Sequence, residues 1–163
     1  MVADGVHQGE QHSVDCRSGR SLALSADGKT LVAGAPYEDS AATGVDGDPR
    51  QGVAENSGAA YVYYRDEGGW TQRAYLKASN SGSGDHFGHA VALSGDGTTL
   101  AVGAMYERSK SAGINGDQLD DSVMSGAAYV FTLKDALWSQ QAYIKASESG
   151  HVRQLRRIHR ARV

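Results

Sequence analysis

Several things are scarce in this chain of 163 residues, and each scarcity excludes something. There is one cysteine, Cys16, so no internal disulfide can form. As a lone thiol with no basic partner in sight, Cys16 reads as a bystander. Proline occurs twice and tryptophan twice, against 21 glycines and eight tyrosines, a balance that favours a turn-rich β protein over a helical one. No run approaches the roughly 18 consecutive apolar residues of a membrane span. The opening MVADGVHQGEQ lacks the basic-then-apolar order of a signal peptide. Net charge is −3, but five of the 16 Lys and Arg residues fall in the last thirteen positions, HVRQLRRIHRARV, which leaves −8 for the rest.

What is present is a repeat. Gly19 to Gly34 reads GRSLALSADGKTLVAG and Gly88 to Gly103 reads GHAVALSGDGTTLAVG, 69 residues apart. SGAAYVYYRDEGGWTQRAYLKAS (Ser57 to Ser79) is answered by SGAAYVFTLKDALWSQQAYIKAS (Ser125 to Ser147), with 68 residues between Trp70 and Trp138. Each unit divides into four strand-like runs. Ser21 to Ser25 and Ala90 to Ser94 end at Asp27-Gly28 and Asp96-Gly97, a tight-turn signal between strands. Thr30 to Ala35 and Thr99 to Ala104 are continuous small apolar runs, the pattern of a strand buried on both faces. Tyr61 to Tyr64 and Tyr129 to Thr132 are rich in aromatics, and Trp70 to Ser79 and Trp138 to Ser147 predict a half-wet outer strand.

Four short strands per unit, the second tightly packed and the last exposed, match the layout of a β-propeller blade. The expected fold is all-β: two four-stranded antiparallel blades of a β-propeller, an incomplete ring. Phe87-Gly88 followed by Val102-Gly103-Ala104, and Ala33-Gly34-Ala35-Pro36 in the first unit, resemble the FG-GAP repeat of integrin alpha-chain propellers and bacterial surface proteins. The resemblance covers roughly Gly19 to Gly150, with Ser18-Gly19 in place of Phe-Gly in the first unit and Met105 in place of the proline in the second. The resulting division is 19–87 for the first blade and 88–150 for the second. The resemblance implies a non-catalytic module of a secreted or cell-surface protein that serves adhesion or binds a protein or carbohydrate ligand through its loops.

Many FG-GAP blades hold calcium between their first two strands. Here that loop is only Ser25-Ala26-Asp27-Gly28-Lys29 or Ser94-Gly95-Asp96-Gly97-Thr98. One carboxylate on a tight hairpin falls short of the roughly 6 to 8 oxygens calcium takes, so the family's site is not carried over. The connection between the second and third strands, about 20 residues in each unit, is the better candidate. It carries Glu38, Asp39, Asp46, Asp48 and Glu55 in one unit, and Glu107, Asn115, Asp117, Asp120 and Asp121 in the other. Gly-Val-Asp-Gly-Asp recurs there as Gly-Ile-Asn-Gly-Asp. Asp46, Asp48, Asn115, Asp117, Asp120 and Asp121 are therefore the candidate cation ligands, with Ca²⁺ the metal their chemistry suits, although any solvated loop uses Asp and Gly. The expectation is no bound cofactor. His86 and His89 read as surface histidines. No Ser/His/Asp set, paired carboxylates in a repeated frame or phosphate loop appears, and an enzyme is not expected. A fragment of a propeller enzyme, its catalytic side chains supplied by other blades, is one alternative.

The two ends break the repeat. Back-translated and read one nucleotide on, His151 to His159 can spell Thr-Phe-Gly-Asn-Ser-Val-Ala-Phe, the start of a further blade. Met1 to His12, treated likewise, can spell WSQTAFIKASN, to be set beside WSQQAYIKASE from Trp138. The expectation is that 1–18 and 151–163 are out-of-frame remnants, that the chain is a fragment of a longer protein with no independent function, and that its exposed blade faces favour self-association. The alternative reading of the basic tail is nucleic-acid or membrane-surface binding, which salt-dependent affinity lost on its deletion would reveal. The preferred reading has no nucleic-acid partner and no membrane span.

Overall fold

The computed structural model describes residues 18–119 and 124–147. The two terminal segments assigned above to a shifted frame, apart from Ser18, and the candidates Asp120 and Asp121 lie outside the described residues. Nine strands form two antiparallel sheets and, among the described residues, no helix is present. Strands β1 (Ser21–Leu24), β2 (Thr30–Ala35), β3 (Ala59–Asp66) and β4 (Gly69–Leu76) pair in chain order. The second sheet is built from β5 (Phe87–Leu93), β6 (Thr99–Ala104), β7 (Gly113–Ile114), β8 (Ala127–Lys134) and β9 (Leu137–Lys145), in the order β5-β6-β8-β9-β7. Each sheet thus contains the four expected strands, and the second adds β7 from inside its long loop.

The tight turns are made by the residues that predicted them. Ser25 Oγ donates to Asp27 Oδ1 at 2.6 Å, and the same oxygen accepts the Lys29 amide at 3.0 Å. Gly28, at φ 68°, supplies the left-handed backbone. Ser94, Asp96 and Gly97 repeat the arrangement. The Ser25 hydroxyl and Lys29 amide hold the Asp27 carboxyl below its ordinary range, and those of Ser94 and Thr98 do so for Asp96. Both aspartates are spent on their own turns, as the hairpin reading requires.

The core lies between the sheets. From the first come Val32, Ala60, Val62, Ala74 and Leu76, and from the second Phe87, Leu100, Val102, Tyr129, Phe131, Trp138 and Tyr143. Small residues on the first sheet let the backbone of β5 approach. Ser21 Oγ donates to the Gly88 carbonyl at 2.9 Å, and Gly58 forms a parallel bridge with Phe87. Phe87 is wholly buried, its ring edge-on to Tyr129 and Phe131.

The fourth strand of the first sheet departs from expectation, whereas β9 alternates between exposed and more buried residues from Leu137 to Ala142. Trp70 to Arg73 is exposed on both faces, whereas Ala74 to Ala78 is buried on both, so wet and dry divide along the strand and not across it. The cause is the long loop before β3, which folds back over the far edge of β4. Val45 bridges Leu76, and the Lys77 amide donates to the Gly44 carbonyl at 2.8 Å. In the second sheet the same fold-back has become β7, with Gly113 opposite Lys145 and Ile114 opposite Ile144. It covers an otherwise unpaired edge, the usual liability of an open sheet.

Candidate functional site

Antiparallel pairing sends the β2–β3, β4–β5 and β6–β8 connections to one end of the two sheets, while the short hairpins occupy the other. This loop end carries the four described candidate ligands, Asp46, Asp48, Asn115 and Asp117. Asp46 sits at φ 52° and exchanges hydrogen bonds with the edge of β4: its amide donates to the Tyr75 carbonyl at 2.7 Å, and its Oδ1 accepts the Tyr75 amide at 2.8 Å. Asn115, at φ 53°, does the same with Tyr143 at 2.7 Å and 2.9 Å. Aspartate and asparagine tolerate this left-handed backbone better than other side chains. Asp48 and Asp117 are exposed and each accepts an amide two residues on, from Arg50 at 2.9 Å and Leu119 at 3.1 Å. The four described candidates thus stand two to a loop, and each accepts a backbone amide. Among the described residues no group of three or more acidic, histidine or cysteine side chains gathers as a cation cage.

A feature not anticipated from the sequence lies beneath each loop. Lys77 is fully buried and donates at 2.7 Å to each of Glu38 Oε2, the Ser40 carbonyl and Ser57 Oγ. Glu38 Oε1 accepts the Ser40 amide at 3.1 Å. In the second unit Lys145 pairs with Glu107, whose carboxylate also accepts the Tyr143 hydroxyl at 2.9 Å and the Ser109 amide at 3.1 Å. Asn80, from the connection between the sheets, donates to Glu107 at 2.8 Å and accepts the Tyr129 hydroxyl at 2.6 Å. Burial draws Lys77 below its ordinary value against the pull of Glu38. Burial alone would raise Glu107, but the hydrogen bonds from Lys145 and Tyr143 outweigh it and hold the carboxyl below its usual range. Burial likewise pushes the Tyr143 hydroxyl up to about 12.

Each pair was signalled in the sequence: Tyr-Glu follows the second strand in both units, and Lys-Ala-Ser closes the fourth. A charged residue held twice in an otherwise apolar frame marks a buried partner at the matching place. The pairs fix the loops to the sheet rather than offering a reactive group, because Lys77, Glu107 and Lys145 have almost no solvent contact.

His86 joins the two loops. It lies at φ 56° between Tyr37 and Tyr106, with ring centroids 5.1 Å and 4.9 Å away and both contacts edge-on. Tyr37 and Tyr106 are equivalent positions of the two units, so a half-buried His86 bridges the repeat rather than standing on the surface. Burial, with a smaller push from His89, lowers its pKa. The row ends at Tyr106, which is exposed.

No curated protein sequence matches the chain. Comparison with protein families matches residues 70–131, from β4 through β5 and β6 into β8, to the FG-GAP repeat. That span includes Phe87-Gly88 and Val102-Gly103-Ala104 together with the junction between the two sheets. Residues 70–131 thus match an FG-GAP repeat, and the match spans two blade-like antiparallel sheets of an all-β chain.

Proposed function

We infer that this is a non-catalytic β-propeller-type module of a surface or secreted protein, which binds a protein or carbohydrate ligand at its loop end. The observation that carries this reading is the duplicated clasp of Asp46 and Asn115 on the outer strands. With the buried Lys77–Glu38 and Lys145–Glu107 pairs, it sets two long loops rigidly side by side around His86. Rigid loops on a rigid scaffold are how β folds present recognition surfaces. The FG-GAP repeat supports a propeller-type module, and such repeats are generally non-catalytic. No helix among the described residues is long and apolar enough to cross a membrane.

The test is a binding screen of the whole chain against immobilised glycans and matrix proteins, repeated with Tyr106→Ala and Asp117→Ala. The expected result is a ligand whose binding either substitution weakens while the thermal melt is unchanged. A ligand bound equally well by both variants would place recognition elsewhere and overturn the assignment to the loop end.

A further inference from the structure

The two sheets pack through an asymmetric contact whose two halves both recur, unmet by any described residue, on the outer faces of the two sheets. On the first sheet the inner half is Gly34: a Cβ there would lie 2.1 Å from the Gly88 carbonyl oxygen, so only glycine fits. On the second sheet the outer half is Gly88, where a Cβ would lie 2.1 Å from the Ala59 carbonyl oxygen. One repeat later, Gly103 takes the place of Gly34, yet a Cβ on it meets nothing closer than Ala90 Cβ at 3.7 Å, and its φ is not in the left-handed region. One repeat earlier, Gly19 takes the place of Gly88, with nothing within 4 Å of a Cβ. Nothing within the described chain requires Gly103 to lack a side chain, and glycine weakens a strand interior.

Gly103 lines a recess of about 520 Å³ on the open face of the second sheet, with Ala90, Ser125, Gly126, Ala128 and Ile144. Four of these match Ser57, Gly58, Ala60 and Leu76, which are buried beneath β5, whereas Ser125 is exposed and Gly126, Ala128 and Ile144 are half-exposed. The complementary face is on the first sheet. Leu22, Leu24 and Trp70 are 62%, 56% and 45% exposed, while their counterparts Val91 and Leu93 pack on the core and Trp138 is 6% exposed.

We propose that the Gly103 recess is a socket for the β1 edge of a second copy of this chain, in a head-to-tail contact that repeats the contact of β5 on the first sheet. Each copy carries one socket and one β1 edge, so the contact is heterologous and leads to closed rings or open chains. It is weaker than the internal one for two reasons: Ser18 replaces the buried Phe87, and Ala90 replaces Ser21, whose hydroxyl holds the Gly88 carbonyl.

Sedimentation velocity on the full chain over a concentration series tests it. The wild type is expected to gain mass with concentration. Gly103→Val, whose Cβ would meet nothing closer than 3.7 Å in the free chain, is expected to keep its circular dichroism and melting behaviour but to weaken self-association by roughly tenfold or more. Labelled Gly103→Val still joins wild-type assemblies through its own β1, since only its socket is closed. Ser18→Phe restores the missing ring and is expected to tighten association. A wild type that stays monomeric throughout, a Gly103→Val chain that associates like the wild type, or a Ser18→Phe chain no tighter than the wild type would each overturn the proposal. None of these readouts depends on a ligand at the loop end.

Discussion

Gly34 lies so close to Gly88 that a methyl group on the former would come 2.1 Å from the carbonyl oxygen of the latter. The contact is backbone to backbone and cannot be relieved by turning a side chain. Ser21 fastens it with a hydrogen bond of 2.9 Å to the same carbonyl. Two sheets of short strands are brought to this distance by leaving out side chains at the crossing, which lets Phe87 reach the core beyond.

Gly34→Ala is therefore expected to destabilise the chain by at least about 1–3 kcal/mol, since neither backbone can yield without separating the sheets. Gly103→Ala, the same substitution one repeat on, is expected to stay within about 0.5 kcal/mol of the wild type. Urea denaturation of the two variants side by side checks the contrast. Equal losses would mean that the effect lies in the strand and not in the contact.

Lys77 makes three hydrogen bonds at 2.7 Å in a site without solvent. Lys77→Met leaves the Glu38 carboxylate buried without its partner, and a loss of about 3–5 kcal/mol is expected. Removing both charges, as Lys77→Met with Glu38→Leu, is expected to recover a large share of that loss, because the desolvation cost of the pair disappears with it. A double-mutant cycle by denaturant unfolding measures the coupling. A double variant no more stable than Lys77→Met alone would mean that the Ser40 and Ser57 contacts, not the ion pair, hold the loop.

The strands and their order were legible because the repeat supplied two copies of every signal. Asp27-Gly28 and Asp96-Gly97 marked the hairpins, and Gly34 marked the packed second strand of the first sheet, whereas β6, expected to be buried on both faces, leaves Ala101 and Gly103 half-exposed because no described strand packs on its outer face. The alternation of the fourth strand holds along most of β9 and fails in β4. Alternation between Thr71, Arg73, Tyr75 and Lys77 on one face and Gln72, Ala74 and Leu76 on the other indicated one wet face, but the loop residues that cover Tyr75 and Lys77, Asp46 and Glu38, lie 29 and 39 residues upstream of them, where local pattern has no reach. The same distance hid the buried pairs, since Glu38 and Lys77 are 39 residues apart in the chain. His86 and His89 looked like surface residues because nothing local says that Tyr37 and Tyr106 converge on His86 from both loops.

Asp46 and Asn115 do the same work with different side chains, so exchange between them is informative. Asp46→Asn keeps an oxygen for the Tyr75 amide and a residue suited to φ 52°, and stability is expected to remain within about 0.5 kcal/mol. Asp46→Ala loses the acceptor and places alanine in left-handed backbone, at an expected cost of about 1–3 kcal/mol. Melting curves with calcium and with chelator, run on the wild type and on Asp46→Asn, examine the loops as cation ligands. Because the Asp46 and Asp48 carboxylates each already accept an amide, the expected shift with calcium is nil. A rise in melting temperature that Asp46→Asn abolishes would show that the loop takes the ion.

His86 gives the molecule a pH dependence whose sign follows from its burial. Its pKa in the folded chain lies below the ordinary 6.5, so near that pH the unfolded chain binds more protons than the folded one, and stability rises with pH. The contribution is complete above pH 6.5 and is lost as the pH falls through the lower, folded value. Glu107 acts further down. Its folded pKa lies below 4.5, so its contribution is present above that pH and disappears as the acid carboxyl forms. His86→Asn, which tolerates φ 56°, is expected to flatten the upper limb of a stability-against-pH curve and to leave the lower limb in place. Denaturant midpoints taken in small steps across both ranges separate the two limbs. An upper limb unchanged in His86→Asn would assign that titration to another group, His89 being the nearest histidine in the chain.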